Sequence, residues 1–249
     1  MLTSLFIAAL SLTPSATQAA DLNPQLALWT EAAGVWQSRN DVGIPATDGT
    51  RFSLVDLGAG PALGGRVYGQ LRLWDRHELR ALYAPFTLRQ QGSYPMDISF
   101  MDGTYLADQD LESLYVFNSY RVTYRYALVD NDKTTLKVGI TGKIRDAEIG
   151  LSQGDTTASR TNVGFVPLLH LAWEQRFSDT VGLLLDADGL WSPYGRAEDV
   201  ALMATFDINP WLRGLAGYRT VEGGADGGGD VYTFAWLHFA ALGLEIGPR

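Results

Sequence analysis

The chain contains no cysteine, so disulfide staples and thiolate-held metals are excluded. Basic residues are in deficit: 19 Lys and Arg face 28 Asp and Glu, giving a net charge of −9. A nucleic-acid binder needs a basic surface to displace counterions from phosphate, and that class is excluded as well. Long apolar runs are also missing after the first residues. Proline or a charged side chain interrupts each run before it reaches the ~20 residues of a helical membrane span. A chain of this kind can enter a membrane only as a closed barrel, because lipid leaves open strand edges unsatisfied.

Among what is present, the 249 residues are 46% hydrophobic, a size that suits one or two soluble domains or one large β-domain. Residues 1–20 read as a secretory leader: an apolar core from Leu5 to Leu12, then Pro14 and small residues ending in Ala19-Ala20. The core is too short to span a bilayer, and no Lys or Arg precedes it. The expected organisation is a signal peptide at 1–20 and one domain over 21–249, beginning near Asp21.

Period-two alternation fills that domain, and period two means strand. It is clearest from Asn162 to Trp191. There Val163, Phe165, Pro167, Leu169, Leu171, Trp173 and Phe177 oppose Gly164, His170, Ala172, Glu174 and Arg176. Past the turn at Ser178-Asp179-Thr180, Val181, Leu183, Leu185 and Ala187 oppose Gly182, Asp186 and Asp188. A soluble sandwich would bury the apolar face. A membrane barrel turns it toward lipid and keeps the polar face for the lumen.

Further runs give about ten strands in all, within a range of about eight to twelve. Strand one, Trp29 to Asn40, sets Glu31, Val35, Gln37 and Arg39 against Ala32, Gly34 and Trp36. Strand two sets Arg66, Tyr68, Gln70 and Arg72 against an apolar face, and strand three turns Glu78 and Arg80 inward. Strand four opposes Arg121, Thr123 and Arg125 to Tyr120, Val122, Tyr124, Tyr126 and Leu128. In strand five the apolar residues shift to Ala147, Ile149 and Leu151 beyond Arg145, which predicts a bulge near the rim. Strands eight, nine and ten follow Ala197, Trp211 and Val231. Connections alternate between long polar segments (Val42 to Pro61, Gln90 to Ser113, Ser152 to Thr161, Glu222 to Asp230) and short turns. Aromatics gather at both ends: Trp74, Tyr126, Phe177, Phe206 and Trp211 near the turns, and Trp36, Tyr115, Phe165, Trp191 and Tyr232 toward the loops. Two girdles, short periplasmic turns and longer external loops are the pattern of a transmembrane barrel.

Several stretches carry a family resemblance: Arg39-Asn40-Asp41-Val42 with Gly49-Thr50-Arg51-Phe52, Asn118-Ser119-Tyr120-Arg121, Lys143-Ile144-Arg145-Asp146-Ala147-Glu148, and Gly217-Tyr218-Arg219-Thr220 leading into Glu222-Gly223-Gly224-Ala225-Asp226. With these the chain resembles the small outer-membrane β-barrel proteins of Gram-negative bacteria, in an uncharacterised group. The resemblance implies an all-β, closed antiparallel barrel in the outer membrane, both termini in the periplasm. It implies no catalytic residue. Where such barrels usually end in an aromatic residue that serves assembly, this sequence ends Ile246-Gly247-Pro248-Arg249.

The inward face predicts a lumenal charge network of Arg72, Arg80, Arg121, Arg125, Lys143, Arg145, Arg213 and Arg219 with Glu31, Glu174, Asp186, Asp188 and Asp199. Such charges either select solutes in a pore or pair inside a filled barrel. Ten strands lie nearer the filled, eight-stranded end of the size range than the porin end. His170, Asp186 and Asp188 share the inward phase, and a carboxylate beside an imidazole can orient a general base. Ten-stranded omptin proteases offer an analogy, yet the sequence places no serine beside His170. His77 and His238 read as isolated and structural. The segment Glu222 to Asp230 fits neither an EF-hand nor a phosphate loop and reads as an external loop.

The sequence thus predicts an outer-membrane barrel with a polar, largely plugged lumen and no metal or cofactor, acting as a structural or binding protein or a narrow, porin-like channel. Outer-membrane lipid and the barrel-assembly machinery are its expected partners. The alternative is an outer-membrane hydrolase using His170 with Asp186 or Asp188; a third reading uses Val42 to Pro61 and Gln90 to Ser113 as an adhesive surface.

Overall fold

A computed structural model of the chain describes residues 24–193 and 195–248. The expected leader, the start near Asp21, Tyr194 and Arg249 lie outside the described residues. Ten long strands follow in chain order: β1 Gln25–Gly43, β2 Ala62–Leu73, β3 His77–Ala84, β4 Leu111–Asp130, β5 Thr134–Gln153, β6 Thr156–Arg176, β7 Val181–Ser192, β8 Gly195–Asn209, β9 Leu212–Asp226 and β10 Tyr232–Ile246. Each pairs antiparallel with the next. β10 returns to β1, from Leu28↔Ile246 to Gly43↔Tyr232, and the sheet closes. Closure leaves none of the ten long strands as an outermost strand, which is what a strand protein needs in lipid.

The short turns are fixed by local chemistry. Trp74 and Asp75 take positive φ values of 48° and 62°, the handedness that matches the twist of a two-residue hairpin. In the β4–β5 turn, Asn131 Oδ1 accepts hydrogen bonds from the backbone N–H of Lys133 and of Thr134, both at 3.0 Å. Ser178 Oγ accepts from the N–H of Val181 at 3.1 Å in the β6–β7 turn. Asn209 Oδ1 accepts from the N–H of Trp211 at 2.8 Å between β8 and β9. Side chains of this kind imitate a backbone turn and favour chain reversal.

Alternation places the faces as expected along most strands. Leu169, Val122, Ile140, Leu202 and Leu242 are exposed on the outer wall, while Glu78, Arg80, Arg121, Arg125, Asp186, Asp188, Asp199 and Arg219 are buried inside. Gly217 lies within this wall because a Cβ there would stand 2.2 Å from the Leu202 carbonyl oxygen.

The long-loop end departs from expectation. Residues 152–161 are not a loop: β5 and β6 run on to a turn at Gly154-Asp155, pairing from Thr156↔Gln153. The segment Glu222 to Asp230 is likewise strand as far as Asp226. No bulge interrupts β5 beyond Arg145, since its pairings with β4 and β6 continue without a shift there. Ala147, Ile149 and Leu151 keep the phase of Lys143. They are apolar because the interior itself becomes apolar at that height. Tyr115 obeys the same rule and is buried in the interior, not placed in the girdle.

That apolar interior is a cap. Phe52–Ser53 pairs with β1, a 3-10 turn follows over Leu54–Leu57, and Ile98–Phe100 forms a hairpin with Gly103–Tyr105. From these loops Ile44, Phe52, Leu54, Leu57, Tyr94, Ile98, Phe100 and Tyr105 pack on Val35, Leu88, Tyr115, Ile149, Leu151, Val221 and Phe239 of the wall. Burial of apolar area drives this at about 25 cal/mol per Å². Tyr94 donates its hydroxyl to the Ser53 carbonyl, and burial pushes its phenol above the ordinary range. Tyr105 donates to the Leu151 carbonyl at 3.2 Å. Both polar tips are thereby satisfied inside an apolar layer.

Candidate functional site

Below the cap the lumen is ionic. Asp199 on β8 is its hub, accepting from Arg66 at 2.9 Å, Arg121 at 2.7 Å and Arg219 at 2.7 Å. Arg219 also grips Glu31 through Nη2 at 2.6 Å and Nε at 3.2 Å, and donates to the Tyr68 hydroxyl at 3.0 Å. One layer nearer the short turns, Asp186 accepts both Nη atoms of Arg80, at 2.6 and 3.1 Å. Glu78 accepts from Arg125 and, at 2.7 Å, from Lys137. Two-pronged guanidinium–carboxylate pairs are strong and geometrically specific. They are needed here because an unpaired charge inside the barrel is costly.

Three members of the predicted network, Arg72, Arg145 and Lys143, have no carboxylate partner among the described residues. Arg72 is half-buried at the short-turn mouth, and its guanidinium makes no ion pair or hydrogen bond among the described residues. Arg145 reaches Asn162 in place of a carboxylate, and its Nε is buried without a hydrogen-bond partner. The charged layer ends where the apolar cap begins, and Arg145 sits at that boundary. Lys143 is buried but meets the Phe117 ring, 4.7 Å from its centroid, with no carboxylate within ion-pair distance among the described residues. Arg213 pairs with Asp207 at 2.6 Å and with Glu174 at 2.9 Å, beside the same mouth as Arg72. Arg66, Glu78, Tyr68 and Lys137 also belong to the ionic layer, and their inward phase was the signal that could have included them. The mouth opens as a polar cavity of about 390 Å³ lined by Arg72, Glu78, Lys137, Glu174, Arg213 and Glu245 among others.

His170 lies opposite Asp188 in the β6–β7 ladder. Its Nδ1 is 2.8 Å from Asp188 Oδ1, and that carboxylate also accepts from Thr141 at 2.8 Å and Arg121 at 2.8 Å. His170 Nε2 has no hydrogen-bond partner among the described residues and lies 4.0 Å from Asp186 Oδ2. The predicted cluster is therefore assembled, but His170 is 3% exposed and has no hydroxyl or thiol at its second nitrogen. No grouping of His, Asp and Glu among the described residues could hold a metal ion.

The outer wall holds a polar cluster that the sequence did not suggest. His238 is not isolated: Nδ1 meets the Tyr218 hydroxyl, and Nε2 lies 2.7 Å from Ser38 Oγ. The β1–β10 register shifts between Gln37 and Arg39, leaving Ser38 out of the ladder. The bulge turns Arg39 outward as well, where it pairs with Asp41 at 2.6 Å, contrary to its expected inward phase. His77, also read as isolated, has its Nδ1 2.8 Å from the Tyr124 hydroxyl, in the aromatic girdle with Trp74 and Tyr126.

Neither a family model nor a curated protein matches the chain. Solved structures do. The outer membrane protease OmpT of Escherichia coli superposes with a TM-score of 0.55 at 10% identity, over 92% of this chain and 99% of that one. An outer-membrane channel of Pseudomonas putida F1 gives 0.43 at 8% identity, over 95% and 99%. Ail, the attachment invasion locus protein of Yersinia pestis, gives 0.37 at 11%, over 87% and 98%. At 10% identity the likeness to the protease is one of fold.

Proposed function

We propose that this Gram-negative outer-membrane β-barrel works with its lumen closed, as a structural or binding protein of the outer membrane and not as a channel. The observation that carries this reading is the filling of the lumen in two successive layers. Paired side chains around Asp199 and Asp186 occupy the middle, and the Phe52, Leu54, Phe100 and Tyr105 cluster occupies the long-loop end. In bacterial barrels the long loops are external, so the cap faces the medium and the 390 Å³ mouth faces the periplasm. Solutes arriving from outside meet an apolar seal first. Outer-membrane lipid surrounds the wall, and the barrel-assembly machinery inserts it.

Planar-bilayer recording tests the reading. The folded protein is expected to give no stable conductance steps above the bare bilayer; well-defined long-lived pores would overturn it. The 2.8 Å contact of His170 with Asp188 favours a second reading, a lumenal hydrolase. Such an enzyme requires His170→Ala to remove turnover of lipid or peptide while the barrel still shows heat-modifiable gel migration. The lone Nε2 and the overlying cap argue that the substitution leaves any turnover unchanged.

A further inference from the structure

We propose that the outer wall carries an acyl-ester hydrolase site built from Ser38, His238 and Tyr218, acting on an acyl lipid with an anionic headgroup. The three side chains come from three adjacent strands, β1, β10 and β9. Ser38 Oγ is 2.7 Å from His238 Nε2, and the other imidazole nitrogen meets the Tyr218 hydroxyl. Nucleophile, base and orienting group in series are the geometry of an activated serine. The β-bulge supplies the local reason: Ser38 is the extra residue, free of the ladder and aimed outward at the imidazole, and bulges of this kind re-aim side chains at functional sites.

Its surroundings specify the substrate. Ser38 and Tyr218 are exposed, as are the flanking Trp36 and Trp236. Aromatic rings of this sort mark the level where acyl chains give way to headgroups. Phe234 and Tyr232 lie four and six residues nearer the long-loop end than His238, about 13 and 20 Å along the strand, and three guanidiniums stack over their rings. Arg39 and Arg196 lie 4.4 and 4.8 Å from the Phe234 centroid, and Arg51 lies 4.2 Å from that of Tyr232. Arg39 and Arg196 have the carboxylates of Asp41 and Glu222, whereas Arg51 makes no ion pair among the described residues. Planar guanidiniums of this kind recognise phosphate. An anionic headgroup held there lowers its ester linkages toward Ser38. A glycerophospholipid and a phosphorylated, acylated saccharide lipid of the outer leaflet share this chemistry.

In the first half-reaction Ser38 Oγ bonds to the ester carbonyl carbon as its proton passes to His238 Nε2. The carbon–alkoxy bond breaks, and the departing alkoxide takes that proton. In the second, water gives a proton to His238 and its oxygen to the acyl carbon, the Ser38 ester bond breaks, and the fatty acid leaves as Ser38 recovers its proton. Tyr218 is a positioning residue: its hydroxyl oxygen accepts a hydrogen bond from His238 Nδ1–H, which keeps that proton on Nδ1 and leaves Nε2 as the base. A neutral phenol does not offset imidazolium charge as a carboxylate does, so its share is the smaller one.

The test uses the full-length protein refolded into vesicles, with heat-modifiable migration reporting folding. A fluorophosphonate probe should label wild type at Ser38, and free fatty acid should be released from vesicles of phosphatidylglycerol, from vesicles containing purified lipopolysaccharide, or from both; the responding lipid identifies the source. Ser38→Ala should abolish labelling, and Ser38→Ala and His238→Ala should each cut release by roughly 10³-fold. Tyr218→Phe should lower kcat by roughly 10-fold with KM unchanged and displace the acid limb of the pH profile. Arg51→Ala should raise KM for the anionic lipid more than KM for an uncharged short-chain ester. Absence of release from both vesicle types by folded wild type, or release undiminished in Ser38→Ala, overturns the proposal.

Discussion

His170 and His238 are both held at Nδ1 and differ at Nε2, and the difference separates the two regions of the barrel they belong to. In the lumen, Asp188 orients His170 through a 2.8 Å contact, but the second nitrogen faces no hydroxyl and the ring is enclosed. On the wall, a weaker orienting group, Tyr218, holds His238 against Ser38 at the lipid boundary. A carboxylate partner makes the stronger base, yet base strength does nothing without a nucleophile and a route for substrate. The lumen has the chemistry of a packed core, and the wall has the chemistry of a site. Substitutions in the two regions should therefore separate stability from turnover.

The largest loss of stability should come from the lumen's hub. Asp199→Ala leaves Arg66 without its carboxylate and strips Arg121 and Arg219 of one of two each, Asp188 and Glu31 remaining. Removing one partner of a buried pair costs about 3–5 kcal/mol because the remaining charge stays buried. Urea unfolding in lipid should show that loss, and an effect below about 1 kcal/mol would mean that water reaches the middle of the barrel. Leu54→Ala should follow closely, at about 3 kcal/mol, by leaving a cavity in the apolar cap. If the same variant conducted in planar bilayers, the apolar cap would be shown to contribute to the seal.

The middle of the barrel was legible in the sequence because lipid outside and charge inside make opposite demands on alternate residues. Tyr120, Val122 and Tyr124 against Arg121, Thr123 and Arg125 leave no doubt about face. The long-loop end was not legible, because the cap makes the inward face apolar too. Ile149 and Leu151 then read as a slipped phase, Tyr115 as a girdle residue, and strand extensions such as Thr156 to Thr161 as loop. The lumenal His170 cluster followed from parity and hairpin register. The wall cluster did not: Ser38 and His238 are 200 positions apart, they meet only through closure of β10 on β1, and the bulge at Ser38 has no residue signature. Arg39 was assigned inward for the same reason.

His170→Ala should have an intermediate effect, about 2 kcal/mol, because Asp188 loses a donor while Thr141 and Arg121 still hold it. Its fluorophosphonate labelling should equal that of wild type. Loss of labelling with the barrel intact would move the chemistry back into the lumen and erase the contrast between the two histidines.

Ser38→Ala should have the smallest effect on stability, within about 0.5 kcal/mol, while cutting turnover by roughly 10³-fold. Ser38 is exposed and unpaired in the ladder, and its hydroxyl's hydrogen bond is to His238 alone among the described residues. Alanine keeps the Cβ and the bulge, and His238 retains Tyr218 at its other nitrogen. A structural role for the hydroxyl would instead appear as a loss of about 1 kcal/mol or more on urea unfolding in lipid, so the two roles leave different traces in one pair of measurements. An unchanged unfolding midpoint beside a silent enzyme would place the function of Ser38 in chemistry. A lowered midpoint would return the Ser38–His238 contact to the wall's packing.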